Sequence, residues 1–155
     1  MNKLKLAIVS CGFLGCSPFA PGTVGTLLGV WIVIVTHHLD FGRQLGLALV
    51  MTLAAVPICH AAERFFARKD DGRIVADEYL TFPLCVLGLP WPEHPWLLAV
   101  AFATNRAMDI LKPPPARQIQ RLPGGIGIVA DDAISCLYAL GINHLVAWLA
   151  GRFLT

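Results

Sequence analysis

Two pairs of adjacent carboxylates, Asp77-Glu78 and Asp131-Asp132, stand at the starts of apolar stretches. A carboxylate at the head of an apolar helix is costly unless it meets a cation or a water-filled cavity. Two such pairs brought together would repel one another and raise each other's pKa unless something positive lay between them. A hard divalent cation such as Mg²⁺ answers that need, because it takes oxygen ligands and keeps several waters. Adjacent helical residues point about 100° apart. Each pair is therefore expected to give one inward ligand and one outer partner. The competing reading is that these acids open helices and complement their dipoles, stabilising by about 0.3–1 kcal/mol each. For Asp70 and Asp71 that reading, or plain solvation, is the expectation.

Cations stand close by in the chain. Arg106 and Asp109 are three apart, which puts them on one helix face. Pro113 disfavours helix at Lys112, so a helix should end about there, with Lys112 leading into Pro113-Pro114-Pro115. Arg106 can offer a fork to a phosphate and Lys112 a point charge. An Arg–Asp surface pair beside a snorkelling lysine is the plainer alternative. Two glycine-rich stretches, residues 17–26 and 123–127, precede apolar runs. Backbone amides at a helix start can hold an oxyanion. Neither stretch has the G-K-[ST] ending of a nucleotide P-loop, and each alone fits a turn.

The composition restricts the scaffold that must position these groups. Of 155 residues, 56% are hydrophobic and 14% charged, against about 45–50% and 25% in an ordinary soluble domain. Too few charges remain to coat a water-soluble globule. Disordered, fibrous and strongly charged nucleic-acid-binding classes are excluded. A formal charge of +2 is too small to imply a polyanionic partner. The expected architecture is all-α: a small multi-pass membrane bundle of four or five hydrophobic helices.

Four apolar stretches supply those helices: residues 24–36, 45–59, 79–89 running into 96–103, and 126–149. The third is broken by Pro90, Trp91, Pro92 and Pro95, a turn whose indole suits a membrane interface. His37 and His38 end the first run and read as interfacial. Cys11, Cys16, Cys59, Cys85 and Cys136 show no metal spacing and read as small hydrophobes. Phe13-Leu14-Gly15-Cys16 loosely resembles a lipoprotein cleavage site, but the apolar part before it is short and Ser-Pro follows; an amphipathic entry segment is the expectation.

Charge sets the orientation. Ten of the 12 basic residues fall in residues 1–5, 63–73 and 106–121, leaving Arg43 and Arg152 for the opposite side. By the positive-inside rule the two long polar loops are cytoplasmic. Asp70, Asp71, Asp77, Glu78, Asp109, Asp131 and Asp132 lie in or beside those loops, so the carboxylates gather at one membrane face.

Four blocks then carry a resemblance. Gly12-Phe13-Leu14-Gly15-Cys16-Ser17-Pro18, followed by Ala20-Pro21-Gly22-Thr23-Val24-Gly25-Thr26, is similar to the opening of the phosphatidylglycerophosphatase A family. Asp71-Gly72-Arg73-Ile74-Val75-Ala76-Asp77-Glu78 resembles its acidic stretch ending in Asp-Glu. Arg106-Ala107-Met108-Asp109-Ile110-Leu111-Lys112-Pro113 resembles its Arg-x-x-Asp-x-x-Lys-Pro stretch. Gly124-Gly125-Ile126-Gly127-Ile128-Val129-Ala130-Asp131-Asp132 resembles its Gly-Gly-x-Gly-x-x-x-Asp-Asp stretch. The blocks keep the family's order across most of residues 12–140. Asn105 replaces a frequent aromatic, Thr81 a frequent glycine, and Gln120 an acid.

The resemblance implies a Mg²⁺-dependent lipid phosphatase, residues 1–155 forming a single domain in the bacterial inner membrane with its site facing the cytoplasm. The substrate implied is phosphatidylglycerophosphate, cleaved to phosphatidylglycerol and phosphate in phospholipid biosynthesis. No nucleic-acid partner is expected. In the working mechanism Asp77, Glu78, Asp131 and Asp132 hold Mg²⁺ directly or through water, and Arg106 and Lys112 grip the phosphate. Asp109 joins the catalytic set. Glu78 is the first choice of general base. Phosphate-monoester hydrolysis needs more than about 20 kcal/mol removed from its barrier, and a metal that activates water and shields charge is a large contributor. No Cys-x₅-Arg loop is present. A CDP-alcohol phosphatidyltransferase signature fails, with Val75, Ala76 and Ser135 at required positions. The non-enzyme alternative is a small ion- or proton-coupled transport protein, which would favour mid-span acids and a repeated half.

Overall fold

Pro21 begins the first of the described helices because its fixed φ suits position N1 and its missing N–H has no intrahelical partner to lose. A computed structural model of the chain describes residues 20–66, 68 and 71–153. Helix α1 (Pro21–Thr36) follows Ala20, which sits at φ 42°. It ends before His37, whose ring lies 5.9 Å from that of Trp91. The Asp40 carboxylate then accepts the Arg43 N–H at 3.1 Å, an N-terminal capping bond, and opens α2 (Phe41–Phe66).

Short elements follow. Helix α3 (Ala76–Thr81) passes directly into a 3₁₀ turn, Phe82–Val86, with Pro83 near its start. The Pro90–Pro95 segment turns the chain into α4 (Trp96–Leu111), which stops at Lys112 in the left-handed conformation. Pro113 immediately after explains the stop. Helix α5 (Ala116–Ile119) and Gly124, at φ 69°, lead into α6 (Gly125–Phe153).

The described residues are helical with no strand, as expected. Among the described residues two helices, Phe41–Phe66 and Gly125–Arg152, are long and apolar enough to cross a membrane. That corrects the expected four or five. Helix α1 has 16 residues, about 24 Å of helix. The third apolar stretch is divided among α3, the 3₁₀ turn and α4, because Pro83 and the Pro90–Pro95 turn interrupt it. Only 22% of each long apolar window is buried, whereas a core helix of a globule would be mostly covered. Leu53, Val50, Trp31 and Trp148 point outward.

Small residues bring the helices close. Ala48, Ala55, Cys59 and Ala62 form the buried stripe of α2. A Cβ at Gly125 would lie 2.1 Å from the Val56 carbonyl oxygen, so α6 can start there only as glycine. Phe82, Leu97, Cys85 and Cys136 fill one core cluster; Cys59, Ala76 and Ile128 fill a second. Cys59, Cys85 and Cys136 are free thiols in these cores, as read from the sequence; Cys11 and Cys16 lie outside the described residues. Fully buried Asn143 accepts a hydrogen bond from Thr104 at 2.7 Å and donates to the Cys85 carbonyl at 2.9 Å. It ties α4, α6 and the 3₁₀ turn together at one level.

Candidate active site

The start of α3, the end of α4, an inner turn of α6 and the start of α1 converge on one cavity of ≈ 350 Å³. Asp77 and Glu78 lie in the first turn of α3. Arg106 and Asp109 come from the last turns of α4, and Lys112 caps it. Asp131 and Asp132 come from α6, but not from its first turn, which holds no acid. The helix begins at Gly125, so these two carboxylates are too far along it for the dipole reading, an effect that fades after the first turn. Glu78, Asp77, Arg106, Asp109, Lys112 and Asp132 all line the cavity.

The cations are already engaged. Arg106 Nη1 lies 3.2 Å from Glu78 Oε2 and 3.2 Å from Asp109 Oδ2. The Arg106–Asp109 pair is the i,i+3 contact that the spacing predicts. Lys112 Nζ pairs with Asp131 and stands 3.9 Å from Asp109 Oδ1. Asp131 is 2% exposed and turns toward Lys112. Asp132, also buried, faces the cavity without a hydrogen-bond or ion-pair partner among the described residues. Asp77 is buried on the same wall.

The start of α1 is part of the site, a role that falls within the first resemblance block but was assigned to none of its residues. Thr26 is fully buried. Its hydroxyl donates to Gly22 O at 2.9 Å, sits 3.3 Å from Glu78 Oε2, and accepts from Arg106 Nη1 at 3.4 Å. A Cβ at Gly22 would lie 2.2 Å from Glu78 Oε1 and 2.9 Å from Arg106 Nη2. Glycine at this position is what lets the acid and base reach α1. The signal in the sequence was the Gly22, Gly25, Thr26 spacing, one helix face. Residues 17–19 of that stretch lie outside the described residues.

Burial raises the Glu78 carboxyl to about 7, while the Arg106 charge opposes the shift and the Asp109 charge adds to it. For Lys112, burial works downward, but the hydrogen bond and charge of Asp131 outweigh it and the net shift is upward. Asp71 departs from the solvated role expected of it. It is buried, accepts Arg73 Nε at 2.7 Å and Nη2 at 3.0 Å, and is held below its usual pKa chiefly by these bonds. Arg73 also lies over the Phe66 ring at 4.0 Å. This clamp fixes the turn that delivers α3 to the cavity. Asp70 lies outside the described residues.

A metal could be held by Asp109, Asp131 and Asp132, whose carboxylate oxygens lie within 4.8 Å of one another. The set expected from the sequence was Asp77, Glu78, Asp131 and Asp132. All four border or adjoin the cavity, but Glu78 is engaged with Arg106 and Thr26.

Carboxylates and two cations facing one cavity, on a helical frame with outward apolar faces, have the charges that phosphate-ester hydrolysis calls on. The phosphatidylglycerophosphatase A family profile matches residues 7–147, and the chain belongs to that family. It is therefore an enzyme of the phosphatase class, as the ordered blocks implied. Named relatives agree. A phosphatidylglycerophosphatase A of Haemophilus influenzae is 33% identical over 142 residues, covering 90% of this chain and 86% of the relative. One of Escherichia coli is 28% identical over 151 residues, covering 94% and 87%. A protein of Bacteroides thetaiotaomicron named "Putative phosphatidylinositol-3-phosphatase" is 31% identical over 152 residues, covering 93% and 94%. No solved structure matches the chain. Family membership does not favour the transport alternative.

Proposed function

We propose that this protein hydrolyses the terminal phosphate of phosphatidylglycerophosphate, giving phosphatidylglycerol and inorganic phosphate, at the cytoplasmic face of a bacterial inner membrane. One observation carries the reading: Arg106 and Lys112 enter the same cavity as Asp77, Glu78, Asp109 and Asp132. Two cations suit a dianionic phosphate, and the carboxylates between them suit proton transfer and a hard divalent ion. The phosphatidylglycerophosphatase name of two relatives supports the substrate. The phosphoinositide name of the third relative shares its chemistry, a phosphate monoester on a lipid headgroup.

Mg²⁺ is the proposed cofactor. The residues fit it: the donors are all carboxylate oxygens, and buried Asp132 faces the cavity without a hydrogen bond or ion pair among the described residues. Asp109, Asp131 and Asp132 would hold it, with Asp77 and Glu78 adjoining directly or through water. When bound, such an ion supplies charge shielding and activation of water.

The chain's own residues do the rest. Arg106 exchanges the Glu78 and Asp109 carboxylates for two phosphate oxygens and orients the phosphate. Lys112 adds a point charge to the same group. Glu78, released from Arg106, accepts a proton from the attacking water. A carboxyl titrating near neutrality is matched to that task. Thr26 holds Glu78 and Arg106 in register. Residues 1–155 act as one domain. With the apolar helices in the bilayer, the cavity would open where a headgroup emerges, and the basic stretches at residues 63–73 and 106–121 support a cytoplasmic position for that end.

The test is phosphate release by purified protein from phosphatidylglycerophosphate and from a phosphatidylinositol monophosphate, with Mg²⁺ and with chelator. Release from the first lipid, lost in chelator, is expected. Preference for the second would overturn the substrate, and undiminished release in chelator would overturn the cofactor.

A further inference from the structure

Lys112 is held back from water. It caps α4 at φ 45°, and its side chain is only 22% exposed because it reaches across to carboxylates. Its ammonium pairs with Asp131 and lies 3.9 Å from Asp109 Oδ1. The third carboxylate of this group, Asp132, is 7% exposed, lines the cavity and has no partner among the described residues. One ammonium thus serves a site with three carboxylate oxygens within 4.8 Å of one another. A divalent cation is the ligand whose charge and oxygen preference would complete it. Ion and ammonium would compete for the carboxylates of Asp131 and Asp109, and like charges that close repel.

We propose that Lys112 is a stand-in cation: its ammonium occupies the Asp109–Asp131–Asp132 carboxylates when no divalent ion is present, and is displaced into the cavity, toward the phosphate position, when the ion binds. The exchange rests on the metal reading above and deepens it. It makes phosphate capture conditional on metal loading, because Lys112 is free for phosphate only once it is released from Asp131.

The experiment uses the full chain in detergent with Mn²⁺ as the probe, read by loss of the free-ion paramagnetic resonance signal, without substrate. Lys112→Met is expected to bind Mn²⁺ at least about tenfold more tightly than the parent. Arg43→Met makes the same charge change at the exposed Asp40 pair, away from the cavity, and is expected to leave affinity within about twofold. Asp132→Asn is expected to weaken binding by about tenfold or more. In the parent, acylation of Lys112 by a small amine-reactive active ester, read by mass spectrometry, should rise several-fold as Mn²⁺ saturates. The acylation arm stands by itself if Lys112→Met fails to fold. Unchanged or weaker Mn²⁺ binding by folded Lys112→Met, or equal protection of Lys112 with and without Mn²⁺, would overturn the exchange while leaving the metal reading intact. Absence of any Mn²⁺ binding by an active parent would overturn both.

Discussion

Glu78 Oε2 lies 3.2 Å from Arg106 Nη1, and the Thr26 hydroxyl touches both residues. The proposed base and the phosphate-binding fork are thus partners of each other before substrate arrives. In the proposed mechanism substrate phosphate replaces Glu78 on Arg106, and that replacement frees Glu78 beside the reacting group. Replacing Glu78 with Gln keeps the hydrogen bonds and removes the charge. Phosphate release per folded molecule should fall by at least about 10²-fold. Near-normal turnover by a folded variant would remove Glu78 from the mechanism.

The same carboxyl sets a pH dependence of stability. Its pKa rises from 4.5 to about 7 on folding. The folded chain then binds more protons than the unfolded chain between those values, so Glu78 lowers stability as pH rises through that window. In metal-free protein, denaturation at pH 5 and pH 7.5 should show this loss. The Glu78→Gln variant should show less of it. An identical pH profile for both would place the titration elsewhere.

Gly22 has no room for a side chain. A Cβ would sit 2.2 Å from Glu78 Oε1, and overpacking of this kind costs about 1–3 kcal/mol. Gly22→Ala should lose that much stability and most of its activity, because Glu78 and Arg106 must both move. Gly46, with nothing within 4 Å of its Cβ position, provides the comparison. Gly46→Ala should retain both properties. Equal effects in assays of the two variants would deny the close contact.

Asp131 and Asp132 together are expected to be indispensable. A double variant carrying Asp131→Asn and Asp132→Asn should have no activity per folded molecule while membrane insertion persists or improves, since each buried charge is costly at depth. Excess Mg²⁺ should not restore it. A double variant that stays active per folded molecule would return these acids to a structural role.

Orientation is open to thiol labelling. In a parent without its native cysteines, a cysteine introduced at Gln118 should be shielded from an impermeant reagent outside spheroplasts, and a cysteine introduced at Glu93 should react. The reverse pattern would put the cavity on the other face of the membrane.

The sequence by itself determined the helical class, most of the segments that become helices and most of the charged residues that line the cavity. Local rules were enough for that: the three-residue spacing of Arg106 and Asp109 gives their 3.2 Å contact, and Pro113 stops α4 at Lys112. Composition announced the apolar exterior. Residue order announced the family. Pairing across the bundle was beyond those rules, because helical periodicity fixes which face a side chain takes but not which other helix meets it. Only the tertiary structure decided that Glu78 faces Arg106, that Asp131 faces Lys112, and that Asp109 rather than Glu78 completes the group of three carboxylates. It also decided that Asp71 is a buried clamp for Arg73 and that Thr26 belongs to the site. The number of helices of spanning length was likewise a matter of where the chain breaks. Pro83 and the Pro90–Pro95 turn divide an apolar run that composition alone leaves whole. The physical reason is common to these cases. Interhelical distances follow from small residues such as Gly22 and Gly125, whose missing side chains bring distant backbones into contact, and that approach sets which charges meet.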